Sequence, residues 1–158
     1  MRFIGVISDT HGLLRPQALA ALRGSASILH AGDIGSPQIL EALAQIAPVA
    51  AVRGNIDRGS WAEKLPPTRY VQVERHCIYL LHNLDELDLD PVSAGLHAII
   101  SGHSHRPKIE TKHDVLYFNP GSAGPRRFHL PVCLGRLTLS EGKLRGEIID
   151  LRLGRSHA

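Results

Sequence analysis

The stretch Phe3-Ile4-Gly5-Val6-Ile7-Ser8-Asp9-Thr10-His11-Gly12 decides how this chain is read. Its first half is a continuous apolar run, the mark of a strand buried on both faces. Its second half turns polar at once, with a carboxylate and an imidazole one residue apart. Downstream, Pro16 opens Gln17 to Leu22, an Ala/Leu-rich segment that reads as a helix and is stopped by Gly24. Ser27 to His30 reads as a second short strand. Ser36-Pro37 supplies an N-cap and a proline at the first helical position for a helix over Gln38 to Ala47, with Ile39, Leu40, Leu43 and Ile46 at helical spacing. Pro48 ends that helix and Val49 to Val52 is a third strand. The order β-α-β-α-β implies a parallel sheet with right-handed crossovers.

The second half is richer in strands. Tyr70 to Glu74 alternates, Ile78 to Leu81 is apolar, and Ala98 to Ile100 follows the acidic stretch Asp85 to Asp90, which reads as a helix and loop on the surface. Residues 108–112 and 115–118 flank a turn at His113-Asp114. Residues 136–139 and 144–151 flank Glu141-Gly142, a clearer hairpin signal. With no repeat, low-complexity tract or linker, a single domain over residues 1–158 is expected.

The composition narrows the function classes. Apolar residues make up 43% and charged residues 21% of 158 residues, an ordinary globular balance that argues against disorder. No run of about 18 apolar residues offers a membrane span. The N-terminus runs straight into the first strand, with neither a basic leader region nor a small-residue cleavage site, so no signal peptide is expected. Cys77 and Cys133 lie in apolar surroundings and read as buried free thiols of a reducing, cytoplasmic setting. The net charge of +3 is too small to mark a nucleic-acid binder, whereas ten histidines are many for this length.

The placement of those histidines carries the chemistry. The predicted strands end in Ser8-Asp9-Thr10-His11, His30-Ala31-Gly32-Asp33, Arg53-Gly54-Asn55-Ile56-Asp57, His82-Asn83 and Ser101-Gly102-His103-Ser104-His105. Open α/β sheets place their ligands at these carboxyl ends. Asp9, His11, Asp33, Asn55, His82, His103 and His105 are the candidate metal ligands. Mixed nitrogen and oxygen donors without thiolate suit Mn, Fe, Ni, Co or Zn better than Ca or Mg. Seven ligands exceed one four-coordinate site and fit two ions about 3.5–4 Å apart. His30 is placed to support a ligand, or else simply to pack at its strand end. His76, His97, His113 and His157 read as surface residues, Arg126, Arg127 and His129 as a solvated basic loop, and Asp57 as the residue holding the Gly54-Asn55 turn. Trp61 and Pro66-Pro67 belong to a loop that edges either the pocket or a contact between copies of the chain.

Taken together, Asp9-Thr10-His11, Gly32-Asp33, Gly54-Asn55-Ile56-Asp57, His82 and Gly102-His103-Ser104-His105 resemble the ordered motifs of the calcineurin-like metallophosphoesterases. The short length and Asn119-Pro120-Gly121-Ser122 resemble the small prokaryotic phosphodiesterase branch. The resemblance implies an α/β/β/α four-layer sandwich. It also implies one divalent ion held by Asp9, His11, Asp33 and His105 and a second by Asp33, Asn55, His82 and His103, with Asp33 bridging and manganese as the leading metal. The activity implied is hydrolysis of a phosphodiester or other phosphoester by in-line attack of a hydroxide bridging the two ions, with Asn55 contacting the phosphate. Two positions depart from the family pattern. Asn83 follows His82 where the family has glycine, and asparagine can adopt a positive φ there at modest cost, which keeps His82 as a ligand. Ile56 stands where many relatives carry a leaving-group histidine, so no general acid is assigned. A protein-interaction scaffold, as in the retromer coat subunit of this fold, is the alternative reading, and a nuclease lacks a basic-aromatic signature here. The substrate and self-association are left open.

Overall fold

The alternation of side chains along the first strand decides how the molecule is layered. In the computed structural model, which describes residues 2–152, β1 (Phe3–Ile7) turns Ile4 and Val6 to one side and Ile7 to the other. It is followed by α1 (Pro16–Leu22), β2 (Ser25–His30), α2 (Pro37–Ala44), β3 (Val49–Ala51) and a short α3 (Ser60–Glu63). The remainder is β4 (Thr68–Val73), β5 (His76–Leu81), a 3-10 turn at Leu84–Glu86, β6 (Ala98–Ile100), β7 (Lys108–Lys112), β8 (Val115–Asn119), β9 (Cys133–Ser140) and β10 (Lys143–Asp150).

These strands build two five-stranded sheets, ordered β10-β9-β1-β2-β3 and β4-β5-β6-β8-β7. The β1-β2-β3 and β5-β6-β8 pairs are parallel, while β9 and β10 in the first sheet and β4 and β7 at the edges of the second are joined by antiparallel pairing. Helices α1 and α2 cover the outer face of the first sheet through Ile7, Leu22, Ile28, Leu43 and Leu134. The two sheets face each other across Val6, Leu29, Leu80, Ile100, Leu116 and Phe118. On the outer face of the second sheet, Tyr79, Leu81, Leu96 and Ile99 are covered by Leu87 and Leu89 of the segment that begins with the 3-10 turn. Two sheets flanked by helical segments therefore give the expected α/β/β/α order. Among the described residues no helix is long and apolar enough to cross a membrane.

Several boundaries differ from the sequence expectation. Helix α2 ends at Ala44, before Ala47, with Gln45 as its C-cap, and Ser36 occupies the N-cap without a side-chain bond. Helix α3 carries no strong periodic signal in four residues. Strand β9 begins at Cys133, ahead of Arg136, because its full length pairs with β10 from Asp150 back to Lys143. Cys133 is buried and its thiol is pushed up to about 12, chiefly by desolvation. Cys77 is half-buried, less enclosed than expected, and both thiols are free. His113 is exposed in its hairpin turn and His97 is exposed, but His76 is half-buried, with Nε2 2.9 Å from the Gly142 carbonyl. His157 lies outside the described residues.

Two buried polar residues tie the strand-end loops together. Asp57, 6% exposed, accepts the N–H groups of Ile34 at 3.1 Å, Gly35 at 2.9 Å and Gly54 at 2.8 Å. It thus holds the Gly54-Asn55 turn, as the sequence suggested, and also clamps that turn to the loop after β2. His30 is fully buried; its Nδ1 accepts the Gly32 N–H at 3.1 Å. Its Nε2 therefore carries the proton and donates to Thr10 Oγ1 at 3.0 Å, and that hydroxyl donates to the Ile34 carbonyl at 2.8 Å. His30 is a brace between loops.

Desolvation depresses the His30 imidazole from 6.5 to about 4. The unfolded chain takes up this proton first as pH falls, so the contribution is intact above pH 6.5 and lost on descending to pH 4. On the order of 3 kcal/mol of unfolding free energy should vanish over that window. His30→Asn, whose Oδ1 can still accept from Gly32, should be less stable at pH 7 yet show a flatter dependence between pH 6.5 and 4 in urea titrations. Asp57→Ala strands three backbone donors and should cost about 3–5 kcal/mol in the same assay, with Asp57→Asn in between.

Candidate metal centre

Parallel pairing continues past the ends of β1 and β2. The N–H of Asp9 donates to the Gly32 carbonyl at 3.0 Å, that of His11 to Asp33 at 2.9 Å and that of Gly12 to Ile34 at 2.8 Å. The two loops are therefore laced together at the residues that carry the candidate ligands. Close approach of the remaining loops requires glycine. At Gly102 a Cβ would lie 2.6 Å from Asp9 Oδ2 and 3.0 Å from Ser8 Cβ. At Gly32, with φ +105°, it would lie 2.8 Å from His82 Nδ1. Any side chain at either place would hold the two sheets' loops apart.

Five of the seven candidates have left-handed backbone: Asp9 (φ 56°), His11 (47°), Asp33 (57°), His103 (71°) and His105 (64°). Asp and His are among the residues that tolerate this region, but each such conformation still costs about 1–3 kcal/mol where it is strained. Of the two pairs spaced i, i+2, Asp9 and His11 face one centre. Asn83 does not use the positive φ open to asparagine. Its φ of −115° is extended, and its Oδ1 accepts the Asp85 N–H at 3.0 Å, so it caps the 3-10 turn and needs no positive φ.

The centre is built around two carboxylates, each with one oxygen committed to the scaffold and one presented. Asp9 Oδ2 accepts the Ser8 hydroxyl at 2.6 Å and the His103 N–H at 3.1 Å. Asp33 Oδ1 accepts the Ile56 N–H at 3.1 Å. The other two oxygens face imidazoles: Asp9 Oδ1 lies 3.3 Å from His105 Nε2 and 3.6 Å from His11 Nε2, and Asp33 Oδ2 lies 3.3 Å from His82 Nε2 and 3.5 Å from His11 Nε2. His82 Nε2 is also 4.0 Å from Asp9 Oδ1. His82 donates from Nδ1 to the Ala31 carbonyl at 2.8 Å, which fixes its tautomer and leaves the Nε2 lone pair aimed at the carboxylates.

Asp9 Oδ1, His11 Nε2 and His82 Nε2 are buried with no hydrogen-bond partner, and so is His105 Nδ1. Native interiors rarely leave such groups unmatched. Acceptor lone pairs converging on one spot fit a cation placed among them. Two triads meet the spacing for an ion, Asp9-His11-His105 and Asp9-Asp33-His82. Burial alone would push the Asp9 carboxyl up. The neighbouring His105 and His11 imidazoles, the Ser8 hydroxyl bond and the His82 charge outweigh it and hold that carboxyl well below the usual range. Burial is likewise outweighed at Asp33 by the adjacent His82 imidazole and the Ile56 N–H bond, which lower it. At His82 burial is overcome by Asp33 and Asp9, which raise it.

The other two candidates lie at the rim. His103 is exposed, with its ring 5.2 Å from that of His82, edge to face. Asn55 is exposed and, with His82 and His103, lines a cleft of about 690 Å³. His103 does not join the two buried triads. Arg126, Arg127 and His129 are exposed, lining neither this cleft nor the smaller one beyond His103. Pro67 lines the larger cleft, whereas Trp61 packs against the core under the helices. Sequence reading gave no role to Asn119 or Ser122. Asn119 Nδ2 holds the Gly102 carbonyl at 2.9 Å and Ser104 Oγ at 3.2 Å, and the Ser122 hydroxyl donates to the Asp9 carbonyl at 3.0 Å. The signal was there: β8, like the other strands, ends in a polar residue.

Comparison with known proteins accords with this arrangement. The family model described as the calcineurin-like phosphoesterase superfamily domain matches residues 1–142. A protein named as a probable metallophosphoesterase from Methanothermobacter thermautotrophicus is 37% identical over 92% of this chain and 91% of its own. Another so named, from Methanocaldococcus jannaschii, is 33% identical over 94% of this chain and 81% of its own. Among solved structures, one titled as a novel archaeal phosphodiesterase superposes with a TM-score of 0.76 at 22% identity, covering 93% and 99% of the two chains. Vps29 of Chaetomium thermophilum superposes with a TM-score of 0.73 at 20% identity, covering 94% and 97%. At those identities the structural likeness concerns the fold alone. The family match over most of the length, with archaeal relatives a third or more identical across nearly all of it, places this chain in the calcineurin-like phosphoesterase superfamily.

Proposed function

We propose that this chain is a phosphodiesterase that works with two divalent cations, manganese foremost, in the cytoplasm. The observation that carries this reading is the set of buried, unpartnered ligand atoms converging from Asp9, His11 and His82. The free thiols support the compartment. When bound, such a pair of cations supplies Lewis acidity at the phosphoryl oxygens and a nucleophile formed from water at neutral pH, for in-line displacement at phosphorus.

The protein's part is to hold the donors in place. Asp9, His11, Asp33 and His105 would serve one cation, and Asp33, Asn55, His82 and His103 the other. Asp9 and Asp33 lie between the two groups, each anchored through its second oxygen so that neither has to reorganise. His82 is aimed by the Ala31 carbonyl. Asn55, exposed at the cleft beside His82 and His103, would orient a phosphoryl oxygen. Ile56 is 41% exposed and offers no proton, so leaving-group protonation must come from water or from another side chain, or be unnecessary.

The test is a screen of the protein with Mn, Ni, Fe, Co or Zn against phosphomonoesters and phosphodiesters. Bis(p-nitrophenyl) phosphate should be hydrolysed with manganese, and chelation should abolish the reaction. Asp33→Ala and His103→Ala should each lower kcat by about a hundredfold or more, and calorimetric titration of Asp9→Asn with manganese should show weakened binding. Full activity in Asp33→Ala would overturn the assignment. No turnover with any metal would favour the scaffold reading. The same screen should show aryl diesters reacting far faster than alkyl diesters, a gap that Ile56→His should narrow; equal rates in the unaltered protein would refute the missing-acid argument.

A further inference from the structure

His103 stands on a wall between two clefts of opposite electrical character. On one side is the cleft of about 690 Å³, whose charged lining is Arg53, Glu86 and Asp88. Two carboxylates outnumber one guanidinium, so the charged lining of this side is net acidic. On the other side is a cleft of about 340 Å³ that runs from His103 along the outer face of β7 and β8. Its charged lining is Arg106, Lys108 and Lys112 against Asp85 and Glu110, a net positive charge.

The cations of the smaller cleft are unequally occupied. Lys112 lies 3.7 Å from Glu110 Oε2 and 5.2 Å from the Tyr117 ring centroid, at the far end of β7. Lys108 shares the same carboxylate oxygen at 3.3 Å, so one anion serves two ammonium groups. Arg106 has no ion pair among the described residues. Lys108 pairs with Asn119 in register, which puts Lys108 at the strand end nearest the metal centre, about 13 Å from Lys112 by strand rise. Two ammonium groups on one carboxylate leave a net positive charge on β7, and the cation without an ion pair among the described residues is Arg106, beside His103 at the mouth of the cleft.

The loop that carries this charge is held firmly. Asn119 bonds the Gly102 carbonyl and Ser104 Oγ, and Ser104 Oγ in turn accepts the Arg106 N–H at 3.2 Å. His103 and Arg106 thus sit on one braced turn, three residues apart, no more than about 11 Å between Cα atoms.

We infer that Arg106 and Lys108 form an anion subsite for a second phosphate on one arm of the substrate, so that the favoured substrates are phosphoesters carrying a further phosphate, as in a nucleoside bisphosphate. The inference rests on the reading that the strand-end centre receives a phosphoryl group. Charge-assisted bonds from a guanidinium and an ammonium suit a phosphate dianion. The same group in the larger cleft would meet Glu86 and Asp88, so the two clefts sort the arms of an asymmetric diester.

Binding reads this without requiring turnover. Calorimetry of the manganese-loaded protein should show thymidine 3′,5′-bisphosphate bound at least about tenfold more tightly than thymidine 5′-monophosphate, with the margin shrinking as salt is raised. Arg106→Gln with Lys108→Gln should bring the ratio close to one, and Arg106→Lys with Lys108→Arg should keep most of it. The ratio is internal to each variant, so general damage to the fold does not mimic the effect. A ratio near one in the unaltered protein, or one undiminished in the Gln variant, overturns the subsite. Hydrolysis of bis(p-nitrophenyl) phosphate, measured in parallel, reports separately on the phosphodiesterase reading. Loss of that activity with the bisphosphate preference retained would refute the reaction and leave the subsite standing.

Discussion

The Asp9 carboxylate is the constraint on which the remainder of the site depends. It is fully buried at the end of the central strand β1, where an unpaired charge would cost several kcal/mol. One oxygen is satisfied by Ser8 from its own sheet and by the His103 N–H from the other, so this single group fastens the loops of the two sheets to each other. Its second oxygen faces His11, His105 and His82 and has no hydrogen-bond partner. The fold can keep such an arrangement only if positive charge is supplied there, by protons on the imidazoles or by cations. A metal centre and a junction between sheets are thus the same object seen from two sides.

The left-handed backbone at Asp9, His11, Asp33, His103 and His105 shows what that arrangement demands. A conformation disfavoured for each residue alone persists because the surrounding bonds over-determine it. The Asp9–Gly32, His11–Asp33 and Gly12–Ile34 backbone bonds, the Asp57 clamp and the His30-Thr10 brace all act within a few residues of the strained positions. Residues that are not candidate ligands, such as Asp57, Asn119 and Ser122, hold the loops that set the angle at which the ligands point.

The fold was largely legible because its signals are local. The apolar run of β1, the prolines at the starts of α1 and α2, and the Glu141-Gly142 turn each act within a few residues. The buried heart of the site was legible for a related reason: a polar cluster after each apolar strand is a local contrast, and parallel strands bring their carboxyl ends to one edge. What escaped had no local signature. The extended backbone of Asn83, the half-burial of His76 by the β9-β10 hairpin, and the brace made by His30 depend on partners from distant segments.

The sequence by itself determined which side chains would gather at one end of the sheets, since strand order and the position of each Asp and His along its strand are properties of the chain. It also determined the missing acid at Ile56, because an aliphatic side chain carries no proton in any fold. Only the tertiary structure decided that Asp9 and Asp33 each hold back one oxygen for the scaffold, and that His103 stands between an acidic cleft and a basic one. Those outcomes come from the packing of two sheets against each other, where charges far apart in the chain share one small volume and must be balanced there.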